Sequence, residues 1–200
     1  MNLTLGQRDA IARHLQTGVT RCGERLAKMS GTEWGVMSTS VNEIPAVRLL
    51  SWFHRTKGKH VGANLRARKG LTLEVLTLFP DKSARSITTA VTEQYADRLA
   101  RLPQLVPMTI AEVSNIMAQG LVGALADGFD EIVILSSPEV DWGEKSELLA
   151  WGFERYDGRK DVLLMSHVEF YSKNLAATCN VVIIVGVSTL RRLFKKRMTA

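Results

Sequence analysis

The chain is poor in the residues that carry the most easily read functional signals. It has two cysteines, Cys22 and Cys179, far apart and without Cys-x-x-Cys spacing. That excludes a disulfide scaffold and a thiolate zinc site, and it reads as two reduced core thiols. The four histidines, His14, His54, His60 and His167, form no i,i+4 pair and no cluster with cysteine, so no protein-bound metal is expected. Aromatic residues are 6% of the chain, too scattered among the basic runs to build a base-stacking surface. Gly58-Lys59 and Lys69-Gly70 lack the Gly-x4-Gly-Lys-Ser/Thr spacing of a phosphate loop, which excludes that nucleotide site. No apolar stretch approaches the roughly 20 residues that cross a bilayer, and the N-terminus lacks the basic-then-apolar pattern of a secretory leader. A soluble, cytoplasmic protein with neither a membrane nor a nucleic-acid partner is expected.

What is present suits one globular unit. Two hundred residues at 46% hydrophobic content can bury a full core. The net charge of +6 is modest and spread out, its densest stretches being Arg55 to Lys69 and Arg191 to Arg197, which read as solvated faces. Taken in order, Thr4 to about Met29 predicts a helix with Ala12, Leu15, Val19, Cys22 and Leu26 as its buried stripe, stopped by Ser30-Gly31. Trp34 to Val41 predicts a strand, Asn42 to Gly58 a short connecting helix or ordered loop. His60 to Ala67 and Leu71 to Phe79 predict a hairpin turning at Arg68-Lys69-Gly70. A helix follows from about Lys82 to Leu102, with Pro103 and Pro107 separating it from the next.

Met108 to Phe129 is the stretch on which the rest turns. At 100° per residue, Ile110, Val113, Met117, Leu121 and Ala124 share one side, and Glu112, Asn115 and Gln119 share the opposite one. The first set packs, and Gly120 and Gly123, with Ala118, are expected to allow close approach. The second set places a carboxylate and a carboxamide one turn apart on a rigid element. Glu112 and Asn115 are therefore the candidate catalytic residues, with Gln119 a solvated residue at the edge of the contact. Beyond this helix come strand Glu131 to Ser136, a connection from Asp141 to Gly158, strands Val162 to Tyr171 and Ala177 to Val187, and a basic helix from about Ser188.

That order repeats the first half, and Leu49-Leu50-Ser51-Trp52-Phe53 matches Leu148-Leu149-Ala150-Trp151-Gly152-Phe153. Each half, about 1–103 and 104–200, reads helix, three strands, helix. Such halves would leave an apolar face uncovered alone, so a single pseudo-symmetric α/β domain (α+β) over 1–200 is expected, with a shared, mainly antiparallel sheet flanked by long helices.

The second half carries Glu112-x2-Asn115-x22-Pro138, the proline falling where the strand after the helix ends. Here the sequence resembles the CheC/CheX/FliY phosphatases of chemotaxis, whose signature is an Asp or Ser, then Glu-x2-Asn on a helix, then a proline at about that distance. The resemblance implies a CheC-like fold and hydrolysis of the aspartyl phosphate on a response-regulator receiver domain such as phosphorylated CheY. It implies that Asn115 orients the attacking water, that Glu112 docks to a receiver lysine, and that Mg²⁺ is supplied by the receiver, with no cofactor bound by this chain. Two departures stand out. The Asp/Ser position is Met108, so whatever hydrogen bond or cap that residue supplies is absent unless Thr109 takes it over. By the offset that relates Met37 to Pro138, the first-half counterparts of Glu112 and Asn115 are Ile11 and His14, so one site is expected. The alternative is a non-catalytic adaptor for a receiver or a CheD-like partner. A homodimer through a sheet edge is left open.

Overall fold

The computed structural model describes residues 3–45, 48, 58–93, 104–154, 156 and 162–198. The first helix, α1 (Leu5–Ser30), starts at Thr4, whose side chain accepts from Gln7 N while the Gln7 side chain accepts from Thr4 N, a reciprocal cap. It stops at Gly31, whose φ of 64° is the left-handed conformation a helix end needs. Ile11 joins Leu15, Val19, Cys22 and Leu26 in the core, whereas Ala12 is only half-buried.

Strand β1 (Gly35–Pro45) runs further than expected and takes in Asn42 to Pro45, which the sequence assigned to a connection. The Leu49 to Phe53 match lies outside the described residues. Strands β2 (Lys59–Lys69) and β3 (Leu73–Pro80) form the expected hairpin, paired from His60↔Pro80 to Arg66↔Glu74, with Gly70 at φ 89° in the turn. Helix α2 (Asp81–Thr92) follows, and residues 94–103 of the helix expected there lie outside the described residues.

Helix α3 (Leu105–Phe129) begins earlier than its pattern suggested. Pro107 does not separate it from what precedes; it sits in the first turn, where the missing N–H would have had no helical acceptor. The stretch Glu131 to Ser136 yields only a two-residue strand, β4 (Ile134–Leu135), and the expected connection contains β5 (Glu139–Glu144) and α4 (Lys145–Phe153). The α4 start was missed because its cap is glutamate: Glu144 and Glu147 cap each other, a role usually taken by Ser, Thr or Asp. Strands β6 (Val162–Ser172) and β7 (Ala177–Gly186) and helix α5 (Val187–Met198) complete the chain.

Among the described residues seven strands form one sheet in the order β1-β6-β7-β3-β2-β4, with β5 also on β2, and every pairing is antiparallel. From the central β7–β3 pair outward, each side presents a hairpin partner and then an edge strand drawn from the other half of the chain. The β7 run Val181 to Val185 alternates between faces. Val181, Ile183 and Val185 meet the core under α1, α2, α3 and α5, while Val182 and Ile184 meet the smaller core under α4. Both faces are covered, which explains the unbroken apolar run.

Helices α1 and α3 run antiparallel, and their closest approach is at glycines. A Cβ on Gly18 would lie 2.8 Å from Leu121 Cα, and one on Gly120 would lie 2.5 Å from Cys22 Sγ. Helix α3 is long and apolar enough to resemble a membrane span, yet half of its most apolar window is buried against the rest of the protein. Its apolarity is that of a core helix. Gly123 behaves differently from Gly120: a Cβ there meets nothing within 4 Å. Gly18→Ala should therefore destabilise by about 1–3 kcal/mol, because the obstacle is backbone. Gly123→Ala should stabilise by up to about 1 kcal/mol through helix propensity. Urea unfolding of the two variants checks the pair.

Candidate active site

The azimuth of α3 is fixed from below. Ser114, fully buried, lies 2.7 Å from the Thr77 hydroxyl of β3, and Thr77 donates to the Ala63 carbonyl of β2 at 3.4 Å. With Thr77 as that donor, Ser114 donates to Thr77, and both hydroxyl protons of the pair are used. Ile110, Val113, Met117 and Leu121 are buried on the same side. One residue beyond Ser114 the helix turns 100°, so Asn115 emerges half-buried, with Glu112 and Gln119 exposed on either side of it. The sequence placed these three together on the outer face, and the structure does the same.

The amide of Asn115 has a partner on its own helix. Gln119 Nε2 donates to Asn115 Oδ1 at 3.1 Å, so Gln119 is more than the edge residue expected. Glu112 forms no ion pair with any cation among the described residues. Beside the amide lies a groove of about 300 Å³, bounded by Asn115, Gln119 and Gly123 on α3 and by Val133, Ile134 and Leu135. Gly123, bare of a side chain, keeps it open. Along its rim Ile134 is 49% exposed and Ile132 is 73% exposed, an apolar margin of the kind that binds partners. Neither the groove nor its margin is a helical periodicity, so sequence reasoning centred on α3 passed over them.

Two expectations about the motif need correction. Thr109 does not replace the cap that Met108 lacks: its hydroxyl donates to the Leu105 carbonyl at 2.9 Å, and Gln104, the cap position, makes no side-chain bond. Nor are Ile11 and His14 the counterparts of Glu112 and Asn115. Ile11 is 1% exposed and belongs to the core, and the His14 ring packs 6.0 Å from Phe129. An offset of 99 residues, the one that relates Leu49-Leu50 to Leu148-Leu149, fits the structure instead. It carries each buried residue of α1 onto a buried residue of α3, Ile11 onto Ile110 and Leu15 onto Ser114 among them. It also carries β1, Gly35 to Pro45, onto the edge from Ile134 to Glu144. A second groove, of about 360 Å³, is lined by Gln16, Thr20, Gly23, Trp34, Gly35 and Val36, and the same offset maps these onto linings of the first. The counterparts are thus Arg13 for Glu112, Gln16 for Asn115, Asp9 for Met108 and Thr39 for Pro138. The charge at the Glu112 position is reversed in the first half.

Pro138 lies between β4 and β5, where the edge leaves and rejoins β2. Ser136 N donates to the Arg66 carbonyl at 2.7 Å, and Arg66 N donates to Ser136 Oγ at 3.0 Å, before the edge resumes at Glu139. A residue without an N–H suits that break.

The fold is that of the CheC-like proteins. FliY of Thermotoga maritima matches with a TM-score of 0.74 over 98% of this chain and 97% of that one, at 14% identity. A chain of the FliG–FliM complex of H. pylori matches at 0.65 over 96% and 100%, at 7% identity. The CheX–CheY–BeF3–Mg²⁺ complex of Borrelia burgdorferi matches at 0.52 over 86% and 97%, at 14% identity. In sequence, CheC1 of Halobacterium salinarum is 25% identical over 123 residues, and the chain spans 62% of that relative's length. No protein-family model matches. The chain is thus similar in part of its sequence to CheC1 and in fold to FliY and CheX.

Since among the described residues neither Asn115 nor Glu112 has a hydrogen bond or ion pair to another element, Asn115→Ala and Glu112→Ala should each shift unfolding free energy by no more than about 0.5 kcal/mol. Thermal and urea unfolding test this. A loss of several kcal/mol in either variant would mark the residue as structural.

Proposed function

We propose that this protein hydrolyses the aspartyl phosphate of a CheY-like receiver domain in chemotaxis or related two-component signalling, with Asn115 and Glu112 as its working residues. The observation that carries the proposal is a half-buried, hydrogen-bonded amide one helical turn from an exposed carboxylate, beside an open groove with an apolar margin. The halobacterial relative bears a provisional name as a CheY-P phosphatase, and a protein of the same fold, CheX, has been solved with CheY.

An acyl phosphate is already activated, so the chain needs to supply only a placed water and a suitable field. The Asn115 carbonyl oxygen accepts a hydrogen bond from that water and aims its oxygen along the line of attack. A neutral amide does this without adding negative charge beside the phosphoryl group. Glu112 pairs with a lysine of the receiver and so sets the depth and register of the amide. In this reading the Mg²⁺ belongs to the receiver. The two halves, about 1–103 and 104–200, share one frame. The first half keeps that frame without the chemistry, because Arg13 would repel the lysine that Glu112 attracts. The reading places the protein in the cytoplasm with its receiver.

A second reading is an adaptor that binds a receiver or a CheD-like protein without hydrolysis. What favours it is Met108, 58% exposed where the signature has Asp or Ser. Phosphate release from a phosphorylated receiver separates the two. The proposal expects Asn115→Ala to lower turnover by about 100-fold or more and Glu112→Ala to raise KM by about tenfold or more. Saturable binding of the receiver with unchanged phosphate lifetime in the native protein would contradict hydrolysis and leave the adaptor.

A further inference from the structure

We propose that Gln119 is a positioning residue for Asn115: its Nε2–H holds the Asn115 carbonyl oxygen and thereby sets which face of the amide meets the attacking water. The inference rests on the phosphatase reading of the site and adds to it a residue outside the Glu-x2-Asn motif. An asparagine amide turns easily about its last torsion, and in a half-buried position it would present oxygen and nitrogen to the groove by turns. The 3.1 Å bond from Gln119 engages one lone pair of Oδ1. It leaves the second lone pair to accept from water and both Nδ2–H groups to donate.

The neighbouring positions on the same stripe agree with this role. One turn beyond Gln119 stands Gly123, with nothing within 4 Å of where its Cβ would be, so a docked surface can close over the amide pair from that side. In solvent an i,i+4 bond of this kind biases the amide only about twofold. Once the receiver covers it and water is displaced, the same bond strengthens, because the competing solvent partners are gone. The preference is therefore weak in the free protein and strong at the moment of reaction.

The first half supplies the contrast. Thr20 stands at the Gln119 position and Gln16 at the Asn115 position, but the Thr20 hydroxyl donates to the Gln16 backbone carbonyl at 3.3 Å. Its donor is used on the helix itself, and a threonine is too short to orient a side chain one turn away. The first-half groove thus has an amide and no positioning partner for it.

The test uses the full chain with its phosphorylated receiver and three variants: Gln119→Met, which keeps the length and removes the donor; Gln119→Glu, which can only accept; and Asn115→Ala. For Gln119→Met we expect kcat to fall about tenfold with KM within twofold, since docking through Glu112 is untouched. For Gln119→Glu we expect a larger fall, because a carboxylate draws Nδ2–H toward itself and turns the amide around. The side-chain ¹⁵N–H₂ resonance of Asn115 should move in both variants, in opposite senses. Unchanged kcat in Gln119→Met would overturn the proposal. So would a rise in KM alone, which would make Gln119 a docking contact. If Asn115→Ala itself turns over normally, the phosphatase reading fails. If Asn115→Ala is inactive while Gln119→Met is native-like, only the positioning role fails.

Discussion

The structure depends on how closely two antiparallel helices can approach. At Gly18 the α1 backbone lies so close to that of α3 that a Cβ would meet Leu121 Cα at 2.8 Å, and at Gly120 the thiol of Cys22 fills the space the missing side chain leaves. Seated that deeply, α3 reaches the sheet, where Ser114 meets Thr77. A helix held at its crossing point and along one edge cannot roll. Everything its outer face presents, from Glu112 to Gly123, takes its direction from that restraint.

Sheet topology adds a second restraint. Because β1 pairs with β6 and β5 pairs with β2, each end of the chain completes the sheet of the other. The groove beside Asn115 has one wall from α3 and the other from the start of the β4–β5 edge, and that edge is held by β2 from the opposite half. The site is therefore a product of the whole domain. The charge at Arg13 is reversed relative to Glu112, so the two grooves differ in what they could attract.

Much of the fold was legible in the sequence because long periodic segments announce themselves. The α1 boundaries follow from Thr4 and Gly31, the hairpin from β-formers around Gly70, and the exposed face of α3 from simple 100° spacing. What escaped was set by tertiary context. The β5 strand alternates acidic and apolar residues only from Glu139 to Trp142 and is held mainly by pairing with β2. Helix α4 opens on a glutamate cap. The counterparts of Glu112 and Asn115 were misread because an offset of 101 and one of 99 both look plausible in a sequence. Burial separates them at once: the first puts Ile11, a core residue, on an exposed position. The role of Gln119 was equally hidden, since spacing shows that two side chains can meet and not which atoms do.

The central claim is that the outer face of α3 and the margin beside it form the surface that meets a phosphorylated receiver. Amide NMR of the ¹⁵N-labelled chain, titrated with a receiver held in its phosphorylated form, tests this most directly. The account expects the perturbed signals to cluster at Glu112 to Gly123 and Val133 to Leu135, with Arg13 to Thr20 unaffected. Perturbations gathered on the opposite face of the sheet, around Leu148 and Trp151 of α4, would contradict it.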